Sequence, residues 1–299
     1  MKEFISICKK TQHDLKAYVT DKLQETHAKV IADDGYVYAH GSFPVLLVAH
    51  MDTVHKNLPN KIMYDTLTTT VSSEDGIGGD DRCGVYMILE IIKKYNCSVV
   101  FCEDEEVGGI GAAKFIASDI AKDLSFNYII ELDRRGERDA VFYDCDNEEF
   151  EDFITKDFYK TAFGTFSDIS VIAPMLKCAA VNLSCGYYKE HTKDEYVSLS
   201  QMNASINAVC DILGRTTKAD KYEYVEATNM YSSWDNFRYY DSTYYIEYFD
   251  NDAEIKYITV EAISEAEAVG KFLMDNGNMS YDMIIDVFSV DGSSLYAWG

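Results

Sequence analysis

The chain has 299 residues, 47% of them apolar and only three of them proline, with a formal net charge of −24 at pH 7. Such a length and composition describe a globular protein with a sizeable core and not an extended disordered chain. The acid excess leaves no basic face for phosphate, which excludes nucleic acid as a partner, and no run approaches the roughly 18 apolar residues of a membrane span.

The opening segment, residues 1–24, is polar and periodic, without the continuous apolar core of a secretory signal. A cytoplasmic protein is therefore expected, beginning with an amphipathic helix over roughly residues 2–27. Two short strands come next, KVIA and YVYAH, separated by a turn containing Gly35. PVLLVA (44–49), SVVFC (98–102), NYIIEL (127–132) and AAVNLS (179–184) are short, almost uninterrupted apolar runs. Runs of this kind suit strands covered on both faces, which predicts a mostly parallel sheet. The segments between them carry helical spacing. Val85, Ile88, Leu89 and Ile92 define one apolar stripe, and Leu199, Met202, Ile206, Val209 and Leu213 another.

The expected fold class is α/β, with a mixed, mostly parallel central sheet flanked by helices over residues 1–215. A small α+β domain is expected over residues 222–299. There a tyrosine-rich hairpin leads to a helix capped by Ser264, with Glu267 completing a capping box and Gly277 near its end, and then to a last strand in YDMIIDVFSV, a ββαβ pattern. The eight cysteines show no C-x-x-C spacing and several lie in apolar runs, so they read as buried free thiols in a reducing compartment.

The residues directly after each apolar strand are the chemically informative ones. The first strand runs into His50 and Asp52, the second into Glu105 and Glu106, the third into Asp133, and the fourth leads to His191. In open α/β sheets, sites form at the carboxyl ends of strands, so these groups converge on one edge. Asp80 joins them from the glycine-rich GIGGDDRCG, with Asp81 as its rival, just as Glu131 rivals Asp133. Imidazole and carboxylate together suit a borderline divalent ion such as zinc. Five ligands hold two ions only if one carboxylate bridges them, the arrangement of a two-metal hydrolytic site. Four separate polar intrusions directly after apolar strands are costly unless paired, which argues against a chance grouping. His13, His27 and His40 lack this context and read as surface residues. His55 lies close enough to touch a substrate but better suits an ordinary loop.

HMDTV, GGDDRCG, DEEVGG, LDRRG and CGYYKEHTKDEYVSL, in that order over roughly residues 28–214, resemble the motifs of the co-catalytic di-zinc exopeptidases, the superfamily that includes peptidase T, glutamyl aminopeptidases and single-domain zinc aminopeptidases. The resemblance implies that His50 and Asp133 hold one ion, Glu106 and His191 the other, and that Asp80 bridges them; it also selects Asp80 over Asp81 and Asp133 over Glu131. Asp52 then orients the His50 ring, and Glu105 is the general base, which places Asp52 and Glu105 with the catalytic residues. Ser167 and Asp168 fall where relatives carry a loop beside the substrate, though they also suit a helix N-cap. Residues 134–190 are too few for the lid domain that many relatives insert.

The implied activity is that of a cytoplasmic metallopeptidase, a protease of the aminopeptidase type that hydrolyses short peptides. Its cofactors would be two divalent ions, zinc or else cobalt or manganese. Two other readings stand beside it: a di-metal amidohydrolase, deacylase or carboxypeptidase acting on N-acyl amino acids, and a non-catalytic binding or assembly protein on the same fold. The partner is then a peptide or small amide substrate, and a homo-oligomer is compatible with all three.

Overall fold

A computed structural model describes residues 1–227, 242–250, 255–262, 271, 272, 276 and 284–289. The chain divides into two units, Met1–Ala227 and Thr228–Gly299.

In the first unit the predicted N-terminal helix is two helices, α1 (Lys2–Cys8) and α2 (Gln12–Gln24). The break is a capping event: the hydroxyl of Thr11 accepts from the Asp14 N–H at 3.1 Å and starts a new helix. The hairpin β1 (Lys29–Asp33) and β2 (Tyr36–His40) comes next, then β3 (Phe43–His50). A second hairpin, β4 (Ile62–Asp65) and β5 (Thr70–Ser73), precedes α3 (Gly79–Ile91). Beyond it lie β6 (Cys97–Cys102), α4 (Ile110–Ala117), β7 (Tyr128–Arg134), β8 (Asp139–Val141), α5 (Glu148–Thr155), β9 (Lys160–Ala162), α6 (Asp168–Leu176) and β10 (Ala180–Ser184). β11 (Tyr187–Tyr188), β12 (Tyr196–Ser198) and α7 (Leu199–Arg215) end the unit.

Eight strands form one sheet in the order β1-β2-β6-β3-β7-β10-β8-β9, and its centre, β6-β3-β7-β10, is parallel. The apolar runs are explained by helices on both faces. Val45, Leu47 and Ala49 of β3 join a core shared with residues of α1, α2, α3 and α7, while Leu46 and Val48 face a second core with Ala112 and Phe115 of α4 and Ile169 and Ile172 of α6. All eight cysteines are free thiols, seven of them buried. His27, expected at the surface, is instead buried, one ring nitrogen 2.8 Å from the Cys97 carbonyl; His13 and His40 are exposed. The periodicity of the helix masked His27, because that helix stops at Gln24 and the chain turns inward after it.

Two features of the sheet determine where the site lies. The register sets His50 opposite Cys102 of β6 and Val48 opposite Glu131 of β7, so His50 and Asp133 stand at the same height at the carboxyl edge. A smaller antiparallel sheet, β11-β12-β5-β4, then ties the turn after β11 to the loop after β5. Those two segments carry His191 and Asp80.

In the second unit, β13 (Ser242–Phe249) lies between β14 (Ile255–Ala262) and β15 (Ile284–Ser289), antiparallel to both, with Ile246 and Phe272 buried. The hairpin and last strand expected there are present. The helix expected from Ser264 to Gly277 lies outside the described residues. No helix among the described residues is long and apolar enough to cross a membrane.

Candidate metal centre

His50 is the last residue of β3 and is wholly buried. Its Nδ1 is 3.0 Å from Asp52 Oδ1, and its Nε2 is 3.1 Å from Asp80 Oδ1 and 3.4 Å from Asp133 Oδ1. The other oxygen of Asp80, Oδ2, lies 3.3 Å from His191 Nε2, which is itself 3.0 Å from Glu106 Oε2. Asp80 thus stands between two imidazoles, one carboxylate oxygen towards each. Donor atoms of His50, Asp80 and Asp133 all lie within 4.8 Å of one another, as do those of Asp80, Glu106 and His191. A third such group is His50, Glu105 and Glu106. Glu105 makes no hydrogen bond with the histidine; its Oε2 is 4.0 Å from His50 Nε2.

Local structure explains why these side chains converge. Asp80 and Asp81 precede the regular part of α3, and the peptide between them is cis. Asp81 faces away from the cluster and accepts from the His50 N–H at 3.3 Å and the Gly84 N–H at 2.8 Å, which ties the end of β3 to the start of α3. Of the two neighbouring aspartates, Asp80 is therefore the one among the imidazoles. The β7 pair separates in the same way. Glu131, fully buried, accepts from the Ser167 hydroxyl, while Asp133 reaches His50. Asp52 has a double task. Besides facing His50, it accepts from the Glu105 N–H at 3.1 Å and the Glu106 N–H at 3.0 Å, which positions the Glu-Glu turn.

Ser167 occupies the N-cap position of α6, and its N–H donates to the Ser170 hydroxyl at 3.2 Å. Both Ser167 and Asp168 are fully buried. His55 joins none of these three groups; its Nε2 pairs with Glu195 Oε2 at 2.7 Å.

Charge crowding shows in the protonation preferences. Burial first, and the Asp80 charge second, push Asp133 up to about 7. Burial also lifts Glu105 well above the usual carboxylate range, with Asp133, Asp168 and Glu106 adding to it against the pull of His50, and raises Glu106. Asp80 goes the other way: burial would raise it, but hydrogen bonds to His191 and His50 outweigh that and hold it low. Hydrogen bonds to Asp80 and Glu106 carry His191 up to about 11. Burial opposes the charged form of His50, yet Asp133 and Asp52 raise it well above the ordinary range. A cluster richer in carboxylate than in positive charge is electrostatically suited to a divalent cation. Its donors, two imidazoles and several carboxylates, fit the preferences of zinc and similar ions.

Several supporting residues have no role that sequence reasoning assigns. Asn182 of β10 accepts from the Asp133 N–H at 2.9 Å and donates to the Asp133 carbonyl at 3.2 Å. The Tyr187 hydroxyl donates to the same carbonyl at 3.1 Å. Arg82, buried, donates to the Met51 carbonyl between His50 and Asp52. Glu195 is fully buried and accepts from two main-chain N–H groups beside Asp80.

No protein-family model and no curated protein matches the chain. Solved structures do share its fold. The aminopeptidase PepT of Bacillus cereus aligns with a TM-score of 0.56 at 15% identity, over 71% of this chain and 96% of its own. A tripeptidase of Staphylococcus aureus gives 0.57 at 14% identity, over 70% and 95%. An aminopeptidase of the archaeon Desulfurococcus kamchatkensis gives 0.54 at 16%, over 72% and 96%. At these identities the likeness is one of fold.

Proposed function

We propose that this chain, which shares the fold of aminopeptidases and a tripeptidase, is a metal-dependent exopeptidase that removes residues from the free amino end of short peptides. The observation that carries the proposal is the arrangement around Asp80, with one carboxylate oxygen towards His50, which also meets Asp133, and the other towards His191, which also meets Glu106. His50 and Asp133 would hold one divalent cation, Glu106 and His191 a second, with Asp80 shared. Such ions, when bound, supply Lewis acidity that polarises the scissile carbonyl and acidifies water.

The chain's own groups do the rest. Glu105 lies beside the ligands without a hydrogen bond to His50, and its raised proton affinity equips it to take a proton from the attacking water. The same carboxyl then returns that proton to the departing amine nitrogen as the C–N bond breaks. Asp52 keeps the His50 ring in one orientation and one tautomer. The concentration of carboxylates at this edge provides counter-charge for the free ammonium of a peptide, which favours an unblocked over an N-acylated substrate.

The test is a panel of aminoacyl and N-acetyl-aminoacyl amides, assayed with metal-loaded and chelator-treated protein alongside metal stoichiometry. Cleavage of the unblocked amides, lost with chelator and regained with zinc, cobalt or manganese, is the expected result. Cleavage of the blocked amides alone would replace the aminopeptidase with a deacylase. Neither hydrolysis nor bound metal would leave a binding protein.

A further inference from the structure

Glu195 lies four positions beyond His191, in the same turn, and none of its surface reaches solvent. Its Oε1 accepts from the Asp80 N–H at 3.0 Å and its Oε2 from the Gly78 N–H at 2.8 Å. Oε2 is also 2.7 Å from Nε2 of His55, whose side chain is partly exposed while that of Glu195 is not. The His55 ring packs against Gly76, whose φ of +82° and missing side chain leave it room; a Cβ at Gly76 would collide with the ring. A buried carboxylate is costly unless each oxygen is held by a donor, and here main-chain N–H groups and an imidazole do so. These bonds attach the backbone of Asp80 to the turn that carries His191.

We propose that Glu195 is the positioning residue of the shared aspartate: it fixes Asp80 and the His191 turn as one rigid piece, with His55 locking it from outside. The inference rests on the metal-binding assignment above. Its particular content is asymmetry. Glu195 governs two of the three donors of the Asp80, Glu106 and His191 group, but only one of the three in the His50, Asp80 and Asp133 group. Loss of Glu195 should therefore weaken the second cation much more than the first.

The experiment titrates metal-free protein with zinc by calorimetry against a competing chelator, for wild type, Glu195→Gln and His55→Gln, and records the melting temperature of each metal-free form. In Glu195→Gln one accepting oxygen becomes an NH2 facing a backbone N–H. The expected result is a first equivalent bound almost as in wild type and a second weakened by about 10- to 100-fold, the range seen when a group supporting a metal ligand is removed. The kcat at fixed metal should fall with KM unchanged and recover as metal is raised. His55→Gln, which keeps the carboxylate, should show a smaller loss in the same direction, and it carries the test if Glu195→Gln fails to fold. Equal weakening of both equivalents, or a lower melting temperature with both affinities intact, overturns the proposal and leaves Glu195 a stability residue only. Wild-type protein that binds no zinc overturns the metal-binding assignment itself, a result told apart from the others without any variant.

Discussion

Replacing Asp52 by Asn changes one atom and tests whether His50 and the Glu-Glu turn depend on a single carboxylate. In the native protein Oδ1 serves His50 Nδ1 at 3.0 Å and the Glu105 N–H at 3.1 Å, and Oδ2 serves the Glu106 N–H at 3.0 Å. Asparagine has one accepting oxygen. If its NH2 takes the place of Oδ2 it meets the Glu106 N–H donor to donor; if it takes the place of Oδ1 it meets the Glu105 N–H. Either orientation forfeits at least one hydrogen bond to a charged acceptor, about 1.5–3 kcal/mol. For a unit of this length, where 1 kcal/mol moves the melting temperature by about 2–4 °C, the metal-free protein should melt roughly 3–12 °C lower. Metal affinity should fall by about 10- to 100-fold because the acceptor that orients the ring loses its charge or is lost altogether. Thermal melts of metal-free protein and zinc titrations read the two effects separately. Wild-type melting and wild-type zinc affinity in Asp52→Asn would refute the role given to this carboxylate.

Glu105→Gln should keep its full metal content while kcat falls by about 10²- to 10⁴-fold, the contribution of a general base; stopped assays with parallel metal analysis check this, and undiminished turnover would remove Glu105 from the mechanism. Asp168, wholly buried at the start of α6, has its carboxyl pushed up to about 6 from 3.8, by burial first. Because the folded state holds that proton more tightly than the unfolded chain, the stability it confers is complete below about pH 3.8 and is lost as pH rises through about 6. Asp168→Asn should therefore be more stable than wild type at pH 7.5 by about 2–3 kcal/mol and no more stable at pH 3.5, measured by urea denaturation of metal-free protein. Gly84→Ala would set a Cβ against the Leu132 carbonyl and the Asp81 carboxylate, where α3 crosses the end of β7. It should cost about 1–3 kcal/mol or more in the same assay and loosen Asp133, one residue beyond Leu132.

The apolar runs were legible because parallel strands covered on both faces are apolar throughout, and the candidate residues His50, Glu106 and Asp133 because charge follows directly on such runs; Asp80 and His191 come from loops and owe their reading to the resemblance. Choosing between Asp80 and Asp81, or between Glu131 and Asp133, needed more than the pattern: both pairs are acidic and both members are held inside, and the deciding fact is which one meets an imidazole and which meets a backbone N–H or a serine. Glu195 falls inside one of the resembling motifs but is given no role of its own by it. In HTKDEYV it reads as part of a solvated turn, and its burial arises only when β12 pairs with β5 and lays that turn over the loop before α3. Arg82 is similar, since a cation next to two aspartates suggests a local ion pair, whereas its guanidinium reaches the Met51 carbonyl. The break between the first two helices is equally silent in the sequence, because Thr11 is one polar residue among many in a periodic stretch until the Asp14 N–H is seen to point at it.

The groups drawn together at the carboxyl edge come from positions 50, 80, 106, 133 and 191, interleaved with nearly every strand of the larger sheet. A chain still emerging from the ribosome, with residues beyond 190 not yet clear, lacks both the last imidazole and Glu195, so the proposed cation site would be incomplete during synthesis. Hydrolytic power of the kind proposed would switch on only after nearly the whole first unit has been made.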